Sequence, residues 1–261
     1  APAPRRGPRR GRPHRSDARR GRGGPGLGTV FRDRVFVGFL ALNFLVVLVV
    51  LQHQTTLPIA MTEDGLSTAT FGWVIAVNGV MIVLGQLFIP KLIDGYHRSR
   101  VLALATLVMG VGFGATAFAD SAGFYVLTVV IWTLGEMLQS PSNSALVAEL
   151  SPSLLRGRYQ GVSSLSWSAG GALAPVVGGF VQQHGGSTVL WLSCLALGVL
   201  VAGGQLLSGR RWERRVAELR VSERAPAKQP DAPPASPAST SPTATELVHG
   251  EDITPPEKAP R

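Results

Sequence analysis

Between residues 36 and 208 the chain alternates long apolar runs with short polar breaks, and this pattern limits the available folds more than anything else in the sequence. The runs fall at about 36–53, 70–89, 101–118, 123–147, 159–181 and 188–208. Each is long enough to cross roughly 30 Å of hydrocarbon as a helix of about 20 residues. Six such runs would aggregate in water, so the pattern predicts an all-α membrane protein with six transmembrane helices. Glycines recur inside the runs, as in VMGVGFGATAF, where small residues let spanning helices approach closely. The breaks also predict an orientation. Arg32, Arg34, Lys91, Arg98, Arg100, Arg156, Arg158, Arg210, Arg211, Arg214 and Arg215 all fall on one side of the alternation. The other breaks, 54–69, 119–122 and 182–187, contain no Lys or Arg but do carry Glu63, Asp64 and Asp120. Basic loops mark the cytoplasmic side, so both termini are expected inside.

The two ends have a different composition. Residues 1–30 hold nine Arg and one Asp, a net charge of +8, with little to bury. The stretch 209–261 is rich in Pro, Ala, Ser and Thr. The expected organisation is a disordered basic cytoplasmic arm at 1–31, a membrane domain at 32–208, and a disordered cytoplasmic tail at 209–261. The arm has no aromatic residue to stack on a base, which argues against nucleic acid and for anionic lipid beside a membrane. The lone Cys194 excludes an intrachain disulfide, and no ligand spacing suggests a metal or other cofactor. The first thirty residues have no signal-peptide pattern, and the first Met is Met61, so a fragment or processed product is expected.

Glu136 is the only charged residue in the first eighteen of FYVLTVVIWTLGEMLQSPSNSALVAEL, residues 124–150. A lone acid at that depth costs several kcal/mol, roughly. With about 100° per helical residue, Trp132, Gln139, Ser140 and Asn143 lie within about 60° of Glu136. A polar stripe of this kind should face a cavity rather than lipid. The second run adds Asn78 and Gln86, and the first adds Asn43, Gln52, His53 and Gln54. Asn and Gln also serve as interhelical glue, and His53 sits at the outer boundary, where a solvated histidine is ordinary. The ionisable Glu136 is the candidate proton-coupling residue, with Asn78, Gln139, Asn143 and Trp132 as candidate cavity lining.

Three stretches resemble the major facilitator superfamily. PKLIDGYHRSR, residues 90–100, resembles the cytoplasmic Gly-x-Leu-Ala-Asp-Arg-x-Gly-Arg-Arg loop, with Asp94 and Arg98 matching. Pro90, Gly95 and His97 stand where that pattern has Gly, Arg and Gly. RGRYQGVSSLSWSAGGALAPVVGGFV, residues 156–181, is similar to the antiporter motif of drug:proton exchangers. It keeps Gly161, Gly170, Pro175, Gly178 and Gly179 in spacing, with Ala174 in place of a Gly. Pro152, Arg156, Gly157 and Gly161 also match the Pro-x-x-x-Arg-Gly-x-x-x-Gly junction between the tenth and eleventh spans of bacterial drug-exporter-like members.

The resemblance covers about 32–208 and implies the C-terminal six-helix half of a twelve-helix transporter, with the arm as its central linker. It implies proton-coupled efflux of small amphipathic compounds from a bacterial inner membrane. The partners it implies are the lipid bilayer, protons, a small-molecule substrate and a missing N-terminal half. It also implies a cytoplasmic gate at Asp94, Arg98 and Arg156, and a packing surface at Gly161, Gly170, Pro175, Gly178 and Gly179. Two other readings are a non-transporting half and proton-coupled uptake. An intramembrane serine protease is disfavoured: Ser168 lacks the expected preceding Gly, and His184 lies in an outer break.

Overall fold

The computed structural model describes residues 28–224, and these are all-α apart from short turns. Expectations for 1–27 and 225–261 lie outside the described residues. The long helices are α1 (Arg34–Val50), α2 (Thr68–Gly85), α3 (Arg98–Ala115), α4 (Ala122–Leu150) and a last helix, Arg156–Arg224. Among the described residues, five helices are long and apolar enough to cross a membrane. The last of them leaves helical geometry at Gly186 (φ 83°, ψ 169°), and its two limbs are α5 (156–185) and α6 (187–224). A positive φ costs an L side chain but not glycine. The chain reverses there. Along α5, Tyr159 sits beside Asp33 and Gly178 beside Gln52, whereas on α6 Arg215 returns to Asp33.

Local chemistry sets several helix starts. Asp33 caps α1 by accepting from the Phe36 amide (3.2 Å), and Ser67 caps α2 by accepting from Thr70 (3.1 Å). The break expected at 54–69 is largely helical: Gln52–Thr55 and Leu57–Glu63 follow α1 with only Leu51 and Thr56 between them. Pro58 is tolerated because it lies in the first turn of its helix, where a missing N–H has no partner to lose.

Helix α3 is the hub of the bundle. Of its apolar window 61% is buried, against 6% for α2. Glycines permit this. A Cβ built on Gly112 would lie 2.5 Å from the Trp132 amide nitrogen, and one on Gly135 2.6 Å from the Ala105 carbonyl oxygen. One apolar cluster, around Trp132, Phe113, Trp191 and Tyr125, fills the end toward the α1–α2 and α3–α4 connections. A second, around Phe36, Phe39, Tyr159 and Trp212, fills the opposite end.

Two expected boundaries are corrected. Composition predicts a disordered tail over 209–261, yet α6 runs helical to Arg224 and buries Trp212 and Leu219. In RRWERRVAELRVSER, Trp212, Val216 and Leu219 recur at helical spacing and form one apolar stripe. Averaging over the Pro-rich remainder hides that stripe. The Trp212 ring meets Phe39 edge-on, with centroids 5.6 Å apart. At the other end, Gly28–Arg32 is a short helix inside the segment expected to be disordered to residue 31, and its Val30 is fully buried.

The α6 extension is tied down through Asp33, whose Oδ2 accepts from Tyr159 Oη (3.1 Å) and Arg215 Nη2 (3.0 Å). One carboxylate thus joins α1, α5 and α6 while also capping α1. Asp33→Ala is expected to lower stability by about 2 kcal/mol, because it removes a cap and the closer of the two carboxylates paired with the half-buried Arg215. Arg215→Ala should cost less, since that side chain is partly solvated. Denaturant unfolding in mixed micelles measures both. A loss below about 0.5 kcal/mol for Asp33→Ala would mean the three-helix tie carries no load.

Candidate functional site

The stripe on α4 meets α2 at one point. Asn78 Nδ2 donates to Glu136 Oε2 and to Thr133 Oγ1, each at 3.0 Å. Glu136 and Asn78 are half-buried and Thr133 is fully buried. Thr133 was missed from sequence, although it lies about 60° from Glu136 on the same helix face. An amide that donates to a carboxylate forms a charge-assisted bond when the acid is ionised and a weaker one when it is protonated. The Asn78 amide thus bridges α2 to two side chains of α4.

Toward the basic end of α4, Gln139 Oε1, Ser142 Oγ and Asn143 Oδ1 are buried with no hydrogen-bond partner among the described residues. Buried polar atoms without partners are uncommon in folded chains. Pro141 lies between them inside the helix and leaves the Met137 carbonyl without its usual amide. Ser142 was also missed, being about 120° from Glu136 and off the stripe as drawn. Ser140, counted on the stripe, is exposed.

Trp132 is placed differently from a cavity wall. It is fully buried, its ring stacked between His53 (centroids 5.1 Å apart) and Phe113 (5.2 Å). A flat apolar ring one turn from the acid packs better against two rings than against a polar space. His53 is buried too, with Nδ1 2.5 Å from the Val50 carbonyl oxygen. Asn43 is buried in α1 and Gln86 is exposed, and neither joins the Asn78–Glu136 group.

Gln52 links α1 to α5. Its Nε2 donates to the Leu48 and Ala174 carbonyls, both at 3.0 Å, and its Oε1 accepts from Thr56 at 3.1 Å. The α5 motif splits into two sets. Gly170, Ala174 and Gly178 are buried, and a Cβ on Gly170 would lie 2.6 Å from Val47 Cγ1. A Cβ on Gly178 would collide with the Gln52 amide. Gly161 and Gly179 have nothing within 4 Å of such an atom, and Pro175 is exposed. Gly178→Ala should therefore displace Gln52 and cost about 1 kcal/mol, and it should cost much less in a Gln52→Ala background. A double-mutant cycle on unfolding free energies reads this directly, and additive losses would show that the two positions do not touch.

At the basic end, Asp94 is exposed in the turn before Gly95 (φ 82°), Arg98 opens α3, and Arg156 is exposed at the start of α5. Among the described residues no ion pair joins these three. The pairs found there are His97–Glu213 (2.9 Å), Glu149–Arg220 (3.6 Å), Asp33–Arg215 (3.0 Å) and Arg215–Glu218 (3.9 Å). The positive-φ turn places Asp94 outside the helix whose first residue is Arg98.

Long apolar helices joined by short connections, with polar contacts turned inward between helices, define a multi-pass α-helical membrane protein. The model of the Major Facilitator Superfamily matches residues 38–248, and the chain belongs to that family. It is a family of transporters, not of enzymes. The chain is 28% identical over 162 residues to the uncharacterized MFS-type transporter YttB of Bacillus subtilis, covering 61% of this chain and 41% of that one. It is 30% identical over 127 residues to the niacin transporter NiaP of Acinetobacter baylyi, covering 49% and 29%. It is 26% identical over 203 residues to the multidrug resistance protein MdtH of Aeromonas hydrophila, covering 76% and 50%. The matched region thus spans half or less of each of these relatives.

Proposed function

We propose that the chain is the C-terminal half of a proton-coupled exporter of small amphipathic compounds, working by alternating access in a bacterial inner membrane with both termini cytoplasmic. Read as separate spans on either side of Gly186, α5 and α6 would bring the number to six, and the 203 residues matched make up 50% of the MdtH relative. The observation that carries the reading is the Asn78–Glu136 bond, a single half-buried carboxylate joining two helices. Glu136 takes a proton from outside, which weakens its hold on Asn78 and loosens α2 from α4. Release of the proton inside restores the bond. Gln139 and Asn143, on the same helix, hold buried unpaired acceptors that a substrate would engage.

The remaining residues take supporting roles. Gly161, Pro175 and Gly179 lie on the outward side of α5, and Trp73, Val83 and Leu84 on exposed α2. These surfaces suit the missing half, with Gly170 and Gly178 packing α5 onto α1. Asp94, Arg98 and Arg156 would pair only in another conformation of the cytoplasmic gate. The relatives named multidrug resistance proteins support a drug-like substrate. Proteoliposomes holding the complete two-half transporter test the reading through proton flux driven by an amphipathic cation. Flux opposite to the substrate supports export by exchange. Flux in the same direction would mean uptake, and no flux would mean a non-transporting half.

A further inference from the structure

A cavity of about 700 Å³ opens at the basic end, between the α2–α3 turn, the end of α4 and the α6 extension. It lies away from Glu136. Its apolar wall comes from Leu146, Trp212, Val216 and Val221. Three arginines, Arg98, Arg220 and Arg224, and two carboxylates, Glu149 and Glu213, also line it. Both carboxylates already have partners: Glu149 is held by Arg220 at 3.6 Å, and Glu213 by His97 at 2.9 Å. Arg98 and Arg224 form no ion pair among the described residues. Three arginines against two carboxylates leave the cavity with net positive charge, beside an apolar surface.

We propose that this cavity binds the phosphate headgroup of an anionic membrane lipid. Guanidinium groups pair with phosphate through two parallel hydrogen bonds, and two of them are free here. A soluble phosphate has no use for the apolar wall, whereas the glycerol and first acyl carbons of a lipid do. The position agrees: α3 begins at Arg98, and the apolar run of α6 gives way to Arg210 and Arg211 just before Trp212, at the depth where headgroups meet water. A lipid held there bridges the α2–α3 turn to the α6 extension, two elements otherwise joined at this face by the exposed His97–Glu213 pair. The inference rests on the helices spanning a bilayer, and not on transport or its direction.

Trp212 is a built-in reporter. The full chain in mixed micelles would be titrated with brominated phosphatidylglycerol or brominated phosphatidylcholine, and the Trp212 signal taken as the difference from W212F. The anionic lipid is expected to quench at roughly tenfold lower mole fraction. R98Q/R224Q should abolish that preference while leaving the circular dichroism unchanged, because neither side chain is in the packed core. Equal quenching by both lipids, or a preference that survives R98Q/R224Q, would overturn the proposal. So would reversal of quenching by millimolar glycerol phosphate, which would make this a soluble-anion site. Because the readout needs no transport, a failed flux assay leaves it standing.

Discussion

Glu136→Gln is expected to abolish proton-driven export while leaving the folded bundle and substrate binding intact. Glutamine keeps the size of the side chain, and its amide oxygen still accepts from Asn78 Nδ2, which lies 3.0 Å from Glu136 Oε2 in the native protein. What it cannot do is exchange a proton. Coupled flux in the complete transporter should fall on the order of 100-fold or more, the scale on which a positioned proton-transfer group contributes. Substrate exchange without net proton movement should persist. Asn78→Ala gives the complementary result. It removes the donor but keeps the acid, so coupling should survive in altered form, with α2 less firmly held. Flux in energised vesicles, run beside radiolabelled exchange, separates the two variants. Unchanged coupled flux in Glu136→Gln would eliminate the proton role, and loss of exchange as well would make Glu136 a structural or substrate-binding residue.

Much of the bundle was legible because hydrocarbon permits so few backbone arrangements. Apolar length alone located α1 through α4, and the spacing of a lone acid on α4 pointed to the face that meets Asn78. The signal failed where a short pattern was averaged into a long segment. Trp212 and Val216 pack with residues of α1 and α4, although composition alone reads them as part of a tail. Asp33 is another case. It is a single acid at the edge of a basic arm, and only the return of α6 at Gly186 reveals that Arg215 meets it. Trp132 shows the limit of face arithmetic: helical angle placed it near Glu136, but bulk and available ring partners decided that it packs inward. The α5 motif could be read as close packing, yet not which of its glycines are close. Val47 and Gln52, which settle that, lie more than a hundred residues earlier in the chain.

A large stability loss is expected at the crossing of α3 and α6, where Gly110 and Gly198 face each other. A Cβ on Gly198 would lie 2.9 Å from Gly110 Cα and 3.4 Å from the Thr106 carbonyl oxygen. These are backbone atoms, so no side-chain rotation relieves the overlap, and the two helices must move apart. Separation would also disturb Thr106 Oγ1, which donates to Gln205 Oε1 at 3.1 Å across the same interface. Without a hydrophobic driving force between spanning helices, close packing of this kind is a main source of association. Gly198→Ala should cost about 2 kcal/mol, and Gly198→Leu about 3 kcal/mol or more, enough to deplete folded protein from the membrane. Gly203, on the same limb, has nothing within 4 Å of a built Cβ. Gly203→Ala should therefore be neutral or stabilising by up to about 1 kcal/mol through helix propensity. The pair of measurements, made by unfolding in mixed micelles, distinguishes close approach from a general intolerance of substitution in α6. Equal losses at 198 and 203 would mean that the Gly110–Gly198 contact does not set the distance between the helices.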